Sequence, residues 1–183
     1  MGIRAATTAD AAAIRQIYAP YVEHTVFSFE YEVPSREEMA RRIEAALPQF
    51  PWLVWEEDGE ILGYAYGSRA FAREAYGFLC DLSIYLREDA HRKGLGRRFY
   101  AVMEEILRRQ GYTRVYCVVV EENVPSCRFH EAMGYHVLAV FRDSGRKFGA
   151  WHSTVWYEKC LRESGSPARF PKPWREVSTD DLF

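Results

Sequence analysis

Apolar and polar positions along this chain switch repeatedly between a period of two and a helical period. Ile3-Arg4-Ala5-Ala6 alternates as a short strand does. Ile14, Ile17, Tyr18, Tyr21 and Val22 then recur at helical spacing behind Thr7 and Asp10, which read as a capping box. Pro34-Ser35 followed by Glu38 opens a second helix, with Met39, Ile43 and Leu47 on one face and Pro48 as its stop. Trp52-Leu53-Val54-Trp55-Glu56 and Ile61-Leu62-Gly63-Tyr64-Ala65-Tyr66 read as strands, and the Asp58-Gly59 pair between them marks a tight hairpin. A long third strand is expected over residues 78–86. Leu95, Phe99, Val102, Met103, Ile106 and Leu107 form the apolar stripe of a long helix closed by Gly111. The apolar run 115–120 fits a strand covered on both faces. Pro125 opens a short helix through Met133 that Gly134 ends, and two strands over 136–141 and 151–157 follow, joined by a polar loop over 142–150.

The order of these elements is that of an α/β (α+β) domain with hairpins early and late and a βαβ unit in the middle. One domain over residues 1–162 is expected, with a C-terminal tail over 163–183. That tail turns to Ser, Gly, Pro and charge, leaves Phe170 and Trp174 isolated, and reads as extended on the surface or frayed. A net charge of −2 over 183 residues gives no basis for a nucleic-acid partner. No stretch approaches the roughly 20 apolar residues of a membrane span, so no membrane partner is expected. Cys80, Cys117, Cys127 and Cys160 form no CxxC pair, so no metal site is expected. No export signal is legible, which points to the cytoplasm.

Chemistry concentrates in two places. His91-Arg92-Lys93-Gly94-Leu95-Gly96 lies between a strand end and a helix start, with Arg97 just beyond. Two glycines let the backbone approach a ligand closely, and the unpaired N–H groups of the first helical turn attract an anion, so the segment suits a pyrophosphate. Asp81 sits inside the apolar third strand, and alternation puts Asp81, Ser83 and Tyr85 on one face and Leu82, Ile84 and Leu86 on the other. An acid there is costly unless it is partnered or functional.

Several short motifs in order carry a family resemblance. They are Ile17-Tyr18-x-x-Tyr21-Val22, Thr25-x-x-Ser28-Phe29-Glu30, Gly63-Tyr64-Ala65-Tyr66, Arg73-x-Ala75-Tyr76, Asn123-x-x-Ser126, His130-Glu131-x-x-Gly134-Tyr135 and Gly145-Arg146-Lys147-Phe148-Gly149-x-Trp151. Over residues 3–161 the chain resembles the GNAT N-acyltransferases, and within them the phosphinothricin and methionine sulfoximine N-acetyltransferase group. The resemblance implies a central twisted mixed sheet of about six to seven strands flanked by about four helices. It also implies an acetyl-CoA-dependent acetylation of the α-amine of a small amino-acid-like substrate, without a metal, and commonly a homodimer.

Residue by residue, the resemblance puts the pyrophosphate on His91 through Gly96, where the family has Gln or Arg in place of His91. The pantetheine arm runs along Ile84, Tyr85 and Leu86, and Asn123 and Ser126 contact the cofactor. Asp81 stands at a glutamate position, one methylene shorter, as the base that takes the amine's proton directly or through water. His130 stands where much of the superfamily has a tyrosine acid; it either donates to the departing thiolate or only hydrogen-bonds within its helix. A strand amide near Leu82 would hold the oxyanion. Arg73 and Tyr76 match positions that grip the substrate's acid group, Phe29 and Glu30 the loop over the substrate, and Lys147, Phe148 and Trp151 a loop near the partner subunit's site. A CoA-binding module without catalysis, or a GNAT enzyme for a peptide N-terminus or another amine, also fits these residues.

Overall fold

The computed structural model describes residues 2–163, 165 and 169–183. The tail expectation at Ser164 and 166–168 lies outside the described residues. The chain forms β1 (Gly2–Ala5), α1 (Ala11–His24), α2 (Arg36–Ala46), β2 (Trp52–Glu57), β3 (Glu60–Arg69), β4 (Leu79–Leu86), α3 (Leu95–Gln110), β5 (Arg114–Val120), α4 (Val124–Ala132), β6 (His136–Lys147) and β7 (Ala150–Cys160). The strands make one seven-stranded mixed sheet in the order β1-β2-β3-β4-β5-β7-β6.

Local signals account for most boundaries. The Ser35 hydroxyl accepts from Glu38 N–H at 3.1 Å and starts α2. Asp58 and Gly59 take φ of 52° and 81°, the left-handed pair of a two-residue hairpin. Gly111, at φ 110°, closes α3 with its N–H on the Leu107 and Arg108 carbonyls.

Register fixes which residues share a face. Trp52, Tyr66 and Ser83 are cross-strand partners, as are Val54, Tyr64 and Tyr85, and Ser68, Asp81 and Tyr116. These residues face α1 and α2: Tyr18 of α1 meets Tyr85 edge-on at 4.9 Å. The opposite face, with Leu53, Ala65, Cys80 and Leu82 buried, packs on α3, where Trp55 meets Phe99 at 6.4 Å. Asp81, Ser83 and Tyr85 therefore do share the α1/α2 face.

Two expectations are corrected. Residues 142–150 are not a polar loop: β6 runs to Lys147 and β7 begins at Ala150, around a two-residue turn with Phe148 at φ 47° and Gly149 at φ 81°. The strand is edge-on to solvent and nearly every position is exposed, so no apolar alternation marks it. The tail is not frayed where it is described. Trp174 is buried, and its indole N–H donates to the Leu47 carbonyl at 2.6 Å.

Candidate active site

β4 and β5 are paired for only three residues, Leu79 with Arg114, Cys80 with Val115 and Asp81 with Tyr116. Beyond that point β4 stays with β3 as far as Leu86, and β5 stays with β7 as far as Val120. The facing edges of 82–86 and 117–120 diverge, so backbone N–H and C=O groups of both strands face an open wedge. Ser83, Ile84, Tyr85, Tyr100, Asn123, Ser126 and His130 line it. An extended amide-bearing chain satisfies such edges as an extra strand does.

The mouth of the wedge is the basic turn. Gly94 has φ 82° and caps α3. The first bond into the helix is Arg98 N–H to the Gly94 carbonyl at 3.3 Å, which leaves the amides of Leu95, Gly96 and Arg97 pointing outward at the positive helix end. Arg92, Lys93 and Arg97 are exposed around them. A Cβ on Gly96 would stand 3.2 Å from the Phe129 ring, so glycine lets α3 and α4 meet at this turn. The Asn123 Oδ1 accepts from Ser126 N–H at 3.2 Å and caps α4. These features fit a pyrophosphate-bearing thioester donor. The His91 side chain does not join them: its Nε2 is turned back to 3.1 Å from the Tyr21 hydroxyl and 3.3 Å from the Leu86 carbonyl. Only its backbone belongs to the turn. Gly96→Val is expected to push α4 off the α3 start and weaken acetyl-CoA binding about tenfold or more, read by calorimetry, the cost of overpacking a tight contact.

Asp81 lies at the apex, where the two strands part. Its Oδ1 is buried with no hydrogen-bond partner. Burial pushes the carboxyl up to about 6, and the Leu82 amide offsets this only in part. His130 is 3% exposed. Its Nδ1 lies 2.8 Å from the Ser126 carbonyl, which can only accept, so the proton sits on Nδ1 and Nε2 accepts from the Tyr100 hydroxyl at 2.7 Å. Desolvation lowers the imidazole pKa, so the ring is neutral with both nitrogens engaged. Tyr100 was not picked out from the sequence, because it lies beside Phe99 in the apolar stripe of α3.

On the α1/α2 face a cavity of about 370 Å³ opens beside Ser68, the strand neighbour of Asp81. The stacked rings of Trp52 and Tyr66, 4.4 Å apart, form its floor, and Arg42, Ala46 and Phe50 its wall. Arg42 holds Glu30 through two contacts of 2.7 and 3.1 Å, and the Tyr18 hydroxyl reaches Glu30 at 3.0 Å. Glu30 is therefore an ion-paired anchor of the loop after α1, and Phe29 packs over Gly145 of β6. Arg73 and Tyr76 are exposed on the segment before β4 and do not line this cavity; Tyr76 touches Phe71 at 4.9 Å, and Phe71 meets Tyr116, the other strand neighbour of Asp81, at 6.0 Å.

Lys147, expected in a loop near the partner subunit's site, is instead the last residue of β6 and 2% exposed, and its Nζ donates to the carbonyls of Val22, Thr25 and Ser28 at 2.7, 3.0 and 2.7 Å. Desolvation lowers its pKa. It ties the β6–β7 hairpin to the loop that carries Phe29 and Glu30. Phe148 and Trp151 stay exposed at the hairpin tip. Among the described residues no group of three or more His, Cys, Asp or Glu side chains is placed to hold a metal ion.

The chain is similar to known proteins along most of its length. A phosphinothricin N-acetyltransferase of Streptomyces viridochromogenes is 34% identical over 176 residues, 96% of this chain and 94% of that protein. An L-methionine sulfoximine/L-methionine sulfone acetyltransferase of Salmonella typhimurium is 30% identical over 91% of this chain and 98% of its own length. Among solved structures, a phosphinothricin acetyltransferase of Sinorhizobium meliloti in complex with acetyl-CoA superimposes with a TM-score of 0.86 at 28% identity, covering 94% of this chain and 97% of that one. Residues 3–156 match the family described as the acetyltransferase (GNAT) domain. With the parted β4 and β5, the glycine turn and this match together, the chain belongs to the GNAT acetyltransferase family.

Proposed function

We propose that this protein transfers the acetyl group of acetyl-CoA to the α-amine of a small amino-acid-like acceptor of the phosphinothricin, methionine sulfoximine or methionine sulfone type. The observation that carries the reading is Asp81, an acid with a buried, unpartnered oxygen at the apex between the donor wedge and the acceptor cavity. The names of the relatives at 34% and 30% identity point to the same acceptors.

In the reaction, the open edges of β4 and β5 hold the donor's arm and the turn 91–97 holds its pyrophosphate, with Asn123 and Ser126 beside the arm. An ammonium has no lone pair, so the acceptor reacts only as the free amine. Asp81, ionised at neutral pH but with raised proton affinity, takes that proton directly or through one water. The amine nitrogen then bonds to the thioester carbon, the C–S bond breaks, and the proton the nitrogen sheds as it becomes an amide passes, directly or through water, to the departing sulfur, so CoA leaves as the thiol. His130 enters by orienting the Tyr100 hydroxyl in the wedge. Arg73 and Tyr76 receive the acceptor's acid group, a fork geometry that suits carboxylate or phosphinate.

The protein is proposed to act as a homodimer in the cytoplasm, where acetyl-CoA is available. Edge strand β6 presents Val137, Leu138, Val140 and Phe141 to solvent, with Phe148 and Trp151 at the hairpin tip, an apolar surface that a second copy would cover. Light scattering is expected to give twice the chain mass, and Leu138→Glu to give the monomer. Among the described residues, no helix is long and apolar enough to cross a membrane.

The test is release of free thiol from acetyl-CoA as acceptors are added one at a time. Release with amino-acid analogues, and none with peptides, supports the reading. Donor binding without release for any amine overturns it in favour of a binding module.

A further inference from the structure

The C-terminal segment lies beyond residue 156, where the match to the family ends, yet it is bonded into the fold at the stretch before β4, at the end of α3 and at the connection from α2 to β2. Phe170 stacks on Phe78 at 4.8 Å and closes over Gly77, where a Cβ would stand 3.0 Å from its ring. This contact presses on the short stretch between Tyr76 and the strand that carries Asp81. Lys172 exchanges two bonds with Gln110: its N–H donates to the Gln110 carbonyl at 2.9 Å, and its carbonyl accepts from the Gln110 side chain at 2.7 Å. The same Gln110 amide donates to the Gln49 carbonyl at 2.8 Å. Trp174, 7% exposed, donates to the carbonyl of Leu47, the residue that caps α2. Arg109 fastens Asp181 through two contacts of 2.7 Å.

The Gln110 and Trp174 bonds converge on the short connection from α2 to β2. Leu47 and Gln49 are gripped directly. Phe50 follows in sequence, stacks on Tyr112 at 5.8 Å and lines the cavity. Helix α2 does not need the strap to stay folded, because Met39 and Ile43 are 2% and 0% exposed in the main core. What the strap sets is the position of the last turn of α2 and of Phe50, hence the width of the cavity between α2 and β3. No described residue from Phe170 onward lines that cavity or the donor wedge. The strap acts at a distance, on one substrate's side only.

We infer that the segment 170–182 is a positioning strap for the acceptor cavity, with Trp174 and Gln110 as its positioning residues. This rests on the reading of that cavity as the acceptor's.

The experiment compares the full chain with Trp174→Phe, which keeps an aromatic ring but loses the N–H, and with a chain ending at residue 169. In thiol-release assays, Trp174→Phe is expected to raise the acceptor KM about five- to tenfold, the factor one lost hydrogen bond is worth, with the acetyl-CoA KM within about twofold. The shortened chain should show a larger shift of the same kind. Equal movement of both KM values, or a fall in melting temperature alone, overturns the proposal. Hydrogen exchange reads the same point without any acceptor, so failure of the enzymatic reading stays distinguishable. Amides of 45–50 should exchange faster in Trp174→Phe while 82–86 and 117–120 keep the wild-type rate. Uniform acceleration, or none, overturns the strap.

Discussion

Asp81→Asn is expected to lower kcat/KM by on the order of 10² to 10⁴, the usual contribution of a positioned base, while making the protein more stable at neutral pH. Both effects come from one cause. The carboxyl has an ordinary pKa of 3.8 and is pushed up to about 6 by burial. The folded state therefore holds the proton more tightly than the unfolded chain. Stability falls as pH rises through this window, between about 4 and 6, by up to roughly 3 kcal/mol in all. Asparagine carries no charge to desolvate and recovers that amount above about pH 6. In the wild type the acid limb of the kcat/KM profile should have its midpoint near 6, activity being lost as pH falls and Asp81 takes up its proton. Thermal melts at pH 5 and pH 8, run beside the rate measurements, check both halves. A variant that is inactive and less stable at pH 8 would show that the aspartate holds the sheet together instead.

Lys147→Met is expected to destabilise by about 3–5 kcal/mol, on the scale of a charged donor removed from buried acceptors. Three N–H groups of one ammonium meet three carbonyls, and each is left without a partner when the amine goes. The Val22 carbonyl belongs to the last turn of α1, where carbonyls lack intrahelical partners and the helix end attracts a cation. The Ser28 carbonyl precedes Phe29 and Glu30, so the acceptor loop should loosen as stability drops. Urea denaturation measures the first effect. A variant that unfolds within 1 kcal/mol of the wild type, a difference of about that size being detectable, would show the carbonyls are satisfied otherwise.

What was legible in the sequence was what local chemistry dictates. The Asp58-Gly59 hairpin, the Ser35 cap, the α3 stripe and the glycine turn each follow from a few adjacent residues, and each is present. Asp81 was visible because an acid in an apolar strand has few benign explanations. What was missed depends on contacts between distant segments. Glu30 and Arg42 are 12 residues apart with a loop between them, and nothing local pairs them. Lysine is ordinarily a surface residue, and nothing near Lys147 in the sequence announces the three carbonyls, from another element, that surround it. The length of β6 was hidden because an edge strand facing water on both sides keeps no alternation. Trp174 read as isolated because its partner, the Leu47 carbonyl, is a backbone group that no side-chain pattern announces.

The parting of β4 and β5 also sets the kinetic order. The wedge and the cavity open on different sides of the apex, so neither reactant has to leave before the other arrives. The two thiols near the junction, Cys80 and Cys117, are 0% and 1% exposed and disfavoured as thiolates by burial, so neither offers a resting place for an acyl group. Turnover is therefore expected to run through a ternary complex, with initial-rate lines for the two reactants that intersect instead of running parallel.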